Sequence, residues 1–313
     1  MSTRCRIGID LGGTKIEGAA IDESGSVRVR RRVPTPVGDY GGTIDAIVAL
    51  IGAIEQEIGA IEQEIGATAP IGIGIPGAIS PITGLVKNAN STWLIGQAFQ
   101  HELEIALGRP TRLANDANCF ALSEATDGAG ASAQTVFGVI LGTGVGGGIA
   151  IHRQILVGAN AVAGEWGHNP LPWPTPGELD GRPCYCGRCG CLETFLSGPA
   201  LVADHHRHSG QSLSAPEIAR AAERGDPQCI STLERYMDRL ARGLASVINL
   251  IDPDVIVIGG GLSAISTLYD QVPQLWTRYV FSDRVVTKLL PPVHGDSSGV
   301  RGAAWLWQPD ELP

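Results

Sequence analysis

The chain has 313 residues, 43% of them hydrophobic and 18% charged, with a formal net charge of −9. That length exceeds one small core and suits two domains, and the balance is that of a folded globular protein, not a disordered one. The negative charge argues against a nucleic-acid backbone as partner, and no apolar run reaches the roughly 18 residues that span a bilayer.

Residues 4–10 read as a strand, followed by Leu11-Gly12-Gly13-Thr14-Lys15, a second strand over 16–21, a Glu23-Ser24-Gly25 turn and a third strand over 27–33. Arg28, Arg30, Arg31 and Arg32 alternate like the wet face of that third strand. No secretion signal precedes the first strand, and four of the seven cysteines crowd into residues 184–191. The expected compartment is therefore the cytoplasm, and the expected use of the crowded thiols is metal binding.

A helix is expected next, with Ile44, Ile47, Val48, Ile51, Ile54, Ile58, Ile61 and Ile65 at three-and-four spacing. Within it residues 51–57 are repeated identically at 58–64. Seven residues make two helical turns to within about 20°, so the duplication lengthens a surface helix and keeps its apolar stripe in line. Residues 71–75 form a glycine-spaced strand, and Leu113 leads into Asn115-Asp116. A buried strand over 136–141 enters the run from Gly142 to Gly148, and β character resumes over 149–151. Residues 215–251 read as helix in two pieces, broken near Gly225-Asp226-Pro227. A strand over 255–258 runs into Gly259-Gly260-Gly261, and residues 299–307 read as a last helix. Strands and helices alternate twice over, the pattern of two α/β domains.

Three glycine-rich turns follow strands: Gly12-Gly13-Thr14-Lys15, the run beginning Gly142-Thr143-Gly144, and Gly259-Gly260-Gly261. Glycine lets backbone amides face a phosphate, and the Thr14 and Thr143 hydroxyls add donors. Any one such turn is ordinary. The two G-x-G-x-x-G matches, at 72–77 and 142–147, lack the following helix of a dinucleotide fold, and no G-x-x-x-x-G-K-[S/T] occurs. Asp10, at the end of a strand and directly before the first turn, is a candidate for holding Mg²⁺ beside phosphates.

Phosphoryl transfer to an alcohol needs a group that orients the hydroxyl and takes its proton. Asn115-Asp116-Ala117-Asn118 sets an acid beside amides that can donate and accept to hydroxyls at once. Glu165-Trp166-Gly167-His168 adds a carboxylate, a ring for a polyol to lie against, and an imidazole. Glu193 follows the cysteines. An Asp-containing turn or helix cap is the plain alternative for Asp116. Cys184, Cys186, Cys189 and Cys191 lie within eight residues, with His168 sixteen residues upstream. Zinc takes four sulfur or imidazole ligands, so one cysteine is in excess if His168 ligates, and spacing leaves open which one. A disulfide or a free-thiol cluster is the alternative.

These stretches together resemble the ROK kinases (repressor, open reading frame, kinase) of the actin–hexokinase superfamily. The likeness rests on Asp10-Leu11-Gly12-Gly13-Thr14-Lys15, Asn115-Asp116-Ala117-Asn118, the run from Leu141 to Gly148, Gly164-Glu165-Trp166-Gly167-His168, the C-x-C-G-x-x-G-C-x-E run from Cys184 to Glu193, and Gly259-Gly260-Gly261, in that order. It implies two ribonuclease-H-like domains closing over ATP and sugar, with residues 1–117 plus 299–313 forming the smaller and 118–298 the larger, zinc-bearing one. It implies Asp116 as catalytic base, and Gly77, Asn90, Asn115, Asp116, Glu165, His168 and Glu193 as sugar contacts. It assigns Asp10, Gly12, Gly13, Thr14, Lys15, Gly142, Thr143 and Gly144 to Mg-ATP and Gly259, Gly260 and Gly261 to the adenosine side. It places structural Zn²⁺ on His168, Cys184, Cys186 and Cys191, with Cys189 at a variable position. A homodimer is also implied.

The family's repressors carry a DNA-binding segment ahead of the first strand, and a strand beginning by Arg4 leaves no room for one. Intact Asp10 and Asp116 argue against a mere sugar-binding module. The segment Lys87-Asn88-Ala89-Asn90-Ser91-Thr92-Trp93-Leu94, with Asn169-Pro170-Leu171-Pro172-Trp173 and the stretch from His294 to Trp305, resembles the bacterial fructokinase/mannokinase subgroup. The expected reaction is ATP-dependent phosphorylation of fructose, with mannose weaker, to the 6-phosphate. An N-acetylhexosamine kinase or a glucokinase is the alternative.

Overall fold

The computed structural model describes residues 5–62, 69–179 and 181–308. The expected meander is present as β1 (Cys5–Leu11), β2 (Lys15–Asp22) and β3 (Val27–Pro34), paired antiparallel in sequence. The arginines of β3 do face solvent, but they also serve an internal need. Arg30 and Arg32 clamp the carboxylate of Glu17, a side chain only 2% exposed, each at 2.6 Å.

Helix α1 (Tyr40–Glu62) turns Ile47, Ile51 and Ile54 onto this sheet. It holds the first copy of the duplicated heptad and part of the second; residues 63 and 64 lie outside the described residues, as does Ile65. Strand β4 (Ile71–Ile75) then pairs parallel to β1. A short hairpin of β5 (Ala78–Ile79) and β6 (Val86–Lys87) precedes α2 (Phe99–Leu107), and β7 (Thr111–Asn115) pairs parallel to β4.

After α3 (Asp116–Thr126) come β8 (Thr135–Leu141), β9 (Val145–Ile151) and β10 (Gln154–Ile155). A long irregular segment leads to α4 (Glu193–Leu196), α5 (Gly198–Ser209), α6 (Ala215–Glu223) and α7 (Pro227–Ile251). The break between α6 and α7 falls where the sequence placed it: the Asp226 side chain caps α7 by accepting from the Gln228 and Cys229 amides, with Pro227 at the first helical position. The chain closes with β11 (Val255–Gly259), α8 (Thr267–Trp276), β12 (Lys288–Leu290) and α9 (Ser298–Ala304).

The two five-stranded sheets run β3-β2-β1-β4-β7 and β10-β9-β8-β11-β12. In each, three antiparallel strands are followed by two parallel ones, so the two halves share one topology. This is the pair of ribonuclease-H-like units that the resemblance implied. Among the described residues no helix is long and apolar enough to cross a membrane.

Helices α3 and α9 lie between the sheets. α9 packs on β1 and β4, while α3 packs on β8 and β9 and against α9. Their approach is so close that a Cβ at Gly302 would collide with the Cys119 carbonyl oxygen, and one at Gly148 with that of Ala117. Gly147 and Gly148 of β9 therefore serve packing, and the turn proper is Gly142-Thr143-Gly144. Gly302→Ala is expected to cost about 1–3 kcal/mol or more through overpacking, read as a lower midpoint in thermal unfolding.

Candidate active site

Strand β7 ends at Asn115 and α3 begins at Asp116, so the change of backbone direction presents both side chains to the cleft between the sheets. Asn115 accepts from the Ala117 amide at 2.9 Å and donates to the Gly77 carbonyl at 3.2 Å. It thereby ties the helix start to the loop after β4. Asp116 accepts from the same Ala117 amide at 2.8 Å. Burial raises its carboxyl above the ordinary carboxylate range, and neighbouring Glu165 adds to this against the pull of the Ala117 amide.

Three cavities meet here. One of about 250 Å³ is lined by Gly77, Asn90, Asn115, Asp116, the Gly142-Thr143-Gly144 turn, Glu165, His168 and Glu193, with Asn88 and Tyr185. A second, of about 520 Å³, is lined by Asp10, Gly12, Gly13, Asn90, Asp116, Gly259 and Gly260. A third, of about 480 Å³, opens between Gly142, Thr143 and Gly261 on one side and Pro199, Pro216, Ala219 and Arg220 on the other. Asp116 stands in the wall between the first two, and Gly142 and Thr143 in the wall between the first and the third.

The second cavity suits charged groups at its acidic end. Burial pushes the Asp10 carboxyl up to about 7, with Asp116 and Glu17 contributing against Lys15. A carboxyl so poorly compensated fits a divalent cation held with phosphate oxygens. Gly12 and Gly13 line this cavity. Thr14 and Lys15, expected beside them, sit at the exposed tip of the β1–β2 turn and are absent from its lining, because so short a turn sends its tip side chains outward.

Glu193, at the start of α4, accepts from the Val145 amide at 2.9 Å, and its carboxylate faces Gly144 so closely that a Cβ there would sit 2.6 Å from it. His168 turns Nδ1 to the Cys184 thiol at 3.6 Å, and Cys186 and Cys191 lie 3.7 Å apart. The four ligand atoms all fall within 4.8 Å of one another. Zn–S bonds of about 2.3 Å at tetrahedral angles set sulfurs about 3.8 Å apart, so these residues fit zinc. Cys184, Cys186 and Cys191 form no disulfide with one another, and the exposed Cys189 lies outside the cluster.

One expectation is corrected. Trp166 was to offer its ring to a polyol, but it is 5% exposed, packs edge-on to Phe137 at 5.7 Å and donates its indole N–H to the Gly146 carbonyl. Its large apolar area belongs to the core. The aromatic side chain at the small cavity is Tyr185, a position to which sequence reasoning attached no role.

An ion network that no local pattern announces braces the segment bearing His168 and the cysteines. Glu178 takes Arg239 and Arg242 at 2.7 and 2.8 Å, and Asp204 takes Arg239, Arg235 and Arg182 at 2.8, 2.9 and 3.1 Å. Arg242 also donates to the Trp173 carbonyl at 2.9 Å. Burial alone would raise both acids, but Arg242 and Arg239 hold Glu178 down to about 2, and Arg239 with Arg235 does the same for Asp204. Depressed carboxylates stabilise the fold above their unfolded pKa, near 4, and that contribution is lost as pH falls toward 2. Glu178→Gln leaves two buried guanidiniums short of charge and is expected to cost about 3–5 kcal/mol in urea unfolding at pH 7. It is also expected to flatten the loss of stability between pH 5 and 2.

The ROK family profile matches residues 6–310. The chain belongs to the ROK family. An N-acetyl-D-glucosamine kinase of Salmonella paratyphi A is 38% identical over 303 residues, covering 96% of this chain and 98% of the relative. Among solved structures, a ROK hexokinase from Thermus thermophilus superposes with a TM-score of 0.83 at 30% identity, covering 96% of this ROK chain and 97% of the other. A ROK glucokinase from Streptomyces griseus, solved with glucose and AMPPNP, gives 0.76 at 29% identity over 96% and 98% of the two chains.

Proposed function

We propose that this ROK protein is an ATP-dependent kinase of a free hexose, yielding the 6-phosphate. The observation that carries this reading is the position of Asp116. It is the carboxylate shared by a compact cavity lined with amides, acids and an imidazole and by a cavity lined with glycine turns and Asp10. The sugar belongs in the first and the ATP phosphates in the second. The base lies against Gly261, Pro216 and Ala219 in the third, whose wall is largely apolar. Asp116 takes the 6-hydroxyl proton as that oxygen bonds to the γ-phosphorus and the bond to the ADP oxygen breaks. Glycine amides orient the phosphates, and Asn115, Asn90, Glu165 and Glu193 hold the ring hydroxyls. Asp10 would hold Mg²⁺, which supplies charge neutralisation on the phosphates. His168, Cys184, Cys186 and Cys191 would hold structural zinc, which supplies a tether for the segment carrying two sugar contacts.

The division at residues 117 and 299 places α3 and α9 at a hinge between halves that close on substrate, and a cytoplasmic homodimer completes the reading. For the sugar, the compact cavity and the segment from Asn88 to Leu94 support fructose, with mannose second. The 38% identity to an N-acetyl-D-glucosamine kinase supports an N-acetylhexosamine instead, and on the comparisons alone that second reading is the better supported. A coupled ADP-release assay with Mg-ATP against fructose, mannose, glucose, N-acetylglucosamine and N-acetylmannosamine tests all of this. No turnover with any sugar in zinc-replete protein would overturn the kinase reading.

A further inference from the structure

Tyr185 is 75% exposed, yet it does not hang free. Its ring stands perpendicular to that of His168, centroids 5.2 Å apart at 83°, and its phenol oxygen lies 3.1 Å from His168 Nε2. The edge contact and the hydrogen bond together fix the orientation of this exposed ring. Tyr185 lines the compact 250 Å³ cavity beside Asp116 and Glu193, and it also lines an adjoining outer space of about 970 Å³. It is thus part of the partition between the two.

We propose that Tyr185 is a sugar-contacting, specificity-determining residue that keeps the hexose site compact and disfavours N-acetylated sugars. The inference rests on the hexose-kinase reading and narrows its substrate. His168 Nδ1 faces the thiols, so Nε2 is the nitrogen left to Tyr185. Were Nδ1 to hold a metal, the ring proton would sit on Nε2 and be donated to the phenol oxygen. The phenol O–H is then free to donate to a sugar hydroxyl, and its direction is set by the imidazole behind it. The ring itself bounds the site where a bulky substituent would otherwise reach the outer space. Asn88, Asn90, Glu165 and His168 line both spaces with Tyr185; removal of its ring is expected to widen the opening between them, and room for a substituent is what separates a free hexose from its acetamido derivative.

Two variants test this. Tyr185→Phe keeps the ring and loses the donor; KM for fructose is expected to rise about three- to tenfold with kcat within about twofold, the size of one net hydrogen bond. Calorimetric titration of sugar in the absence of ATP should show the same weakening. Tyr185→Gly removes the partition and should shift the kcat/KM ratio of fructose to N-acetylglucosamine by at least about tenfold toward the acetamido sugar. Zinc content by atomic absorption should stay at the wild-type value in both, which separates sugar contact from damage to the metal cluster. Unchanged fructose binding in Tyr185→Phe, or a wild-type enzyme that prefers N-acetylglucosamine, overturns the proposal and leaves the kinase standing. Absence of turnover with every sugar removes the reading on which it rests.

Discussion

Asp116→Asn is expected to lower kcat by about 10²- to 10⁴-fold, the span usual for loss of a general base. The substitution keeps size and polarity, and the Ala117 amide still finds an oxygen acceptor at the start of α3. Sugar binding therefore survives, because Asn115, Asn90, Glu165 and Glu193 remain in the same cavity. What would be lost is the group proposed to accept the 6-hydroxyl proton as that oxygen bonds to phosphorus. Single-turnover kinetics in the variant, with sugar affinity measured separately, checks both halves of the statement. A rate near that of the wild type would remove Asp116 from the role of base, whatever the sugar.

Cys191→Ser is expected to strip the metal, lower the unfolding temperature and raise KM for the sugar together. Cys191 is 1% exposed, 3.7 Å from Cys186, and its thiol also reaches the His168 carbonyl at 3.5 Å. A serine there offers a poor ligand, and metal-binding free energy that is also folding free energy is lost with it. The effect is expected to reach the sugar because His168 is one of the four proposed ligands and Glu193 lies beside them, its Oε1 3.9 Å from the Cys184 thiol. Cys189→Ser is the control, since Cys189 is exposed and outside the cluster. Metal analysis should give about one zinc per chain in the wild type and in Cys189→Ser, and none in Cys191→Ser. A metal-free preparation with full activity and unaltered stability would sink the zinc assignment.

The strands, the glycine turns and the cysteine cluster were legible in the residues because each is written within a few neighbours. Alternation marks β3, three-and-four spacing marks α1, Gly225-Asp226-Pro227 marks the end of one helix and the start of the next, and four thiols in eight residues mark the cysteine cluster. Residue type and short spacing determine these features before any long-range contact forms. The direction of a side chain across a tertiary contact is not written that way. Trp166 is not the ring at the small cavity because Phe137 and the Gly146 carbonyl, from the second sheet, claim the indole. Thr14 and Lys15 stand exposed at the tip of the β1–β2 turn, outside the lining of the cavity beside Asp10.

The ion network joins Glu178 to arginines 61 and 64 positions away, and no local rule pairs residues at that separation. Asp116 was readable as a candidate acid, since Asn115-Asp116-Ala117-Asn118 sets a carboxylate beside amides that suit hydroxyls. Its place between two cavities was not. That came only when β7, β1, β8 and β11 brought Asn115, Asp10, Gly142 and Gly259 to one cleft. The sequence by itself determined which chemical groups this protein has and in which local conformations they sit. The packing of two sheets across α3 and α9 decided which of them meet, because burial and close backbone approach act between segments far apart in the chain.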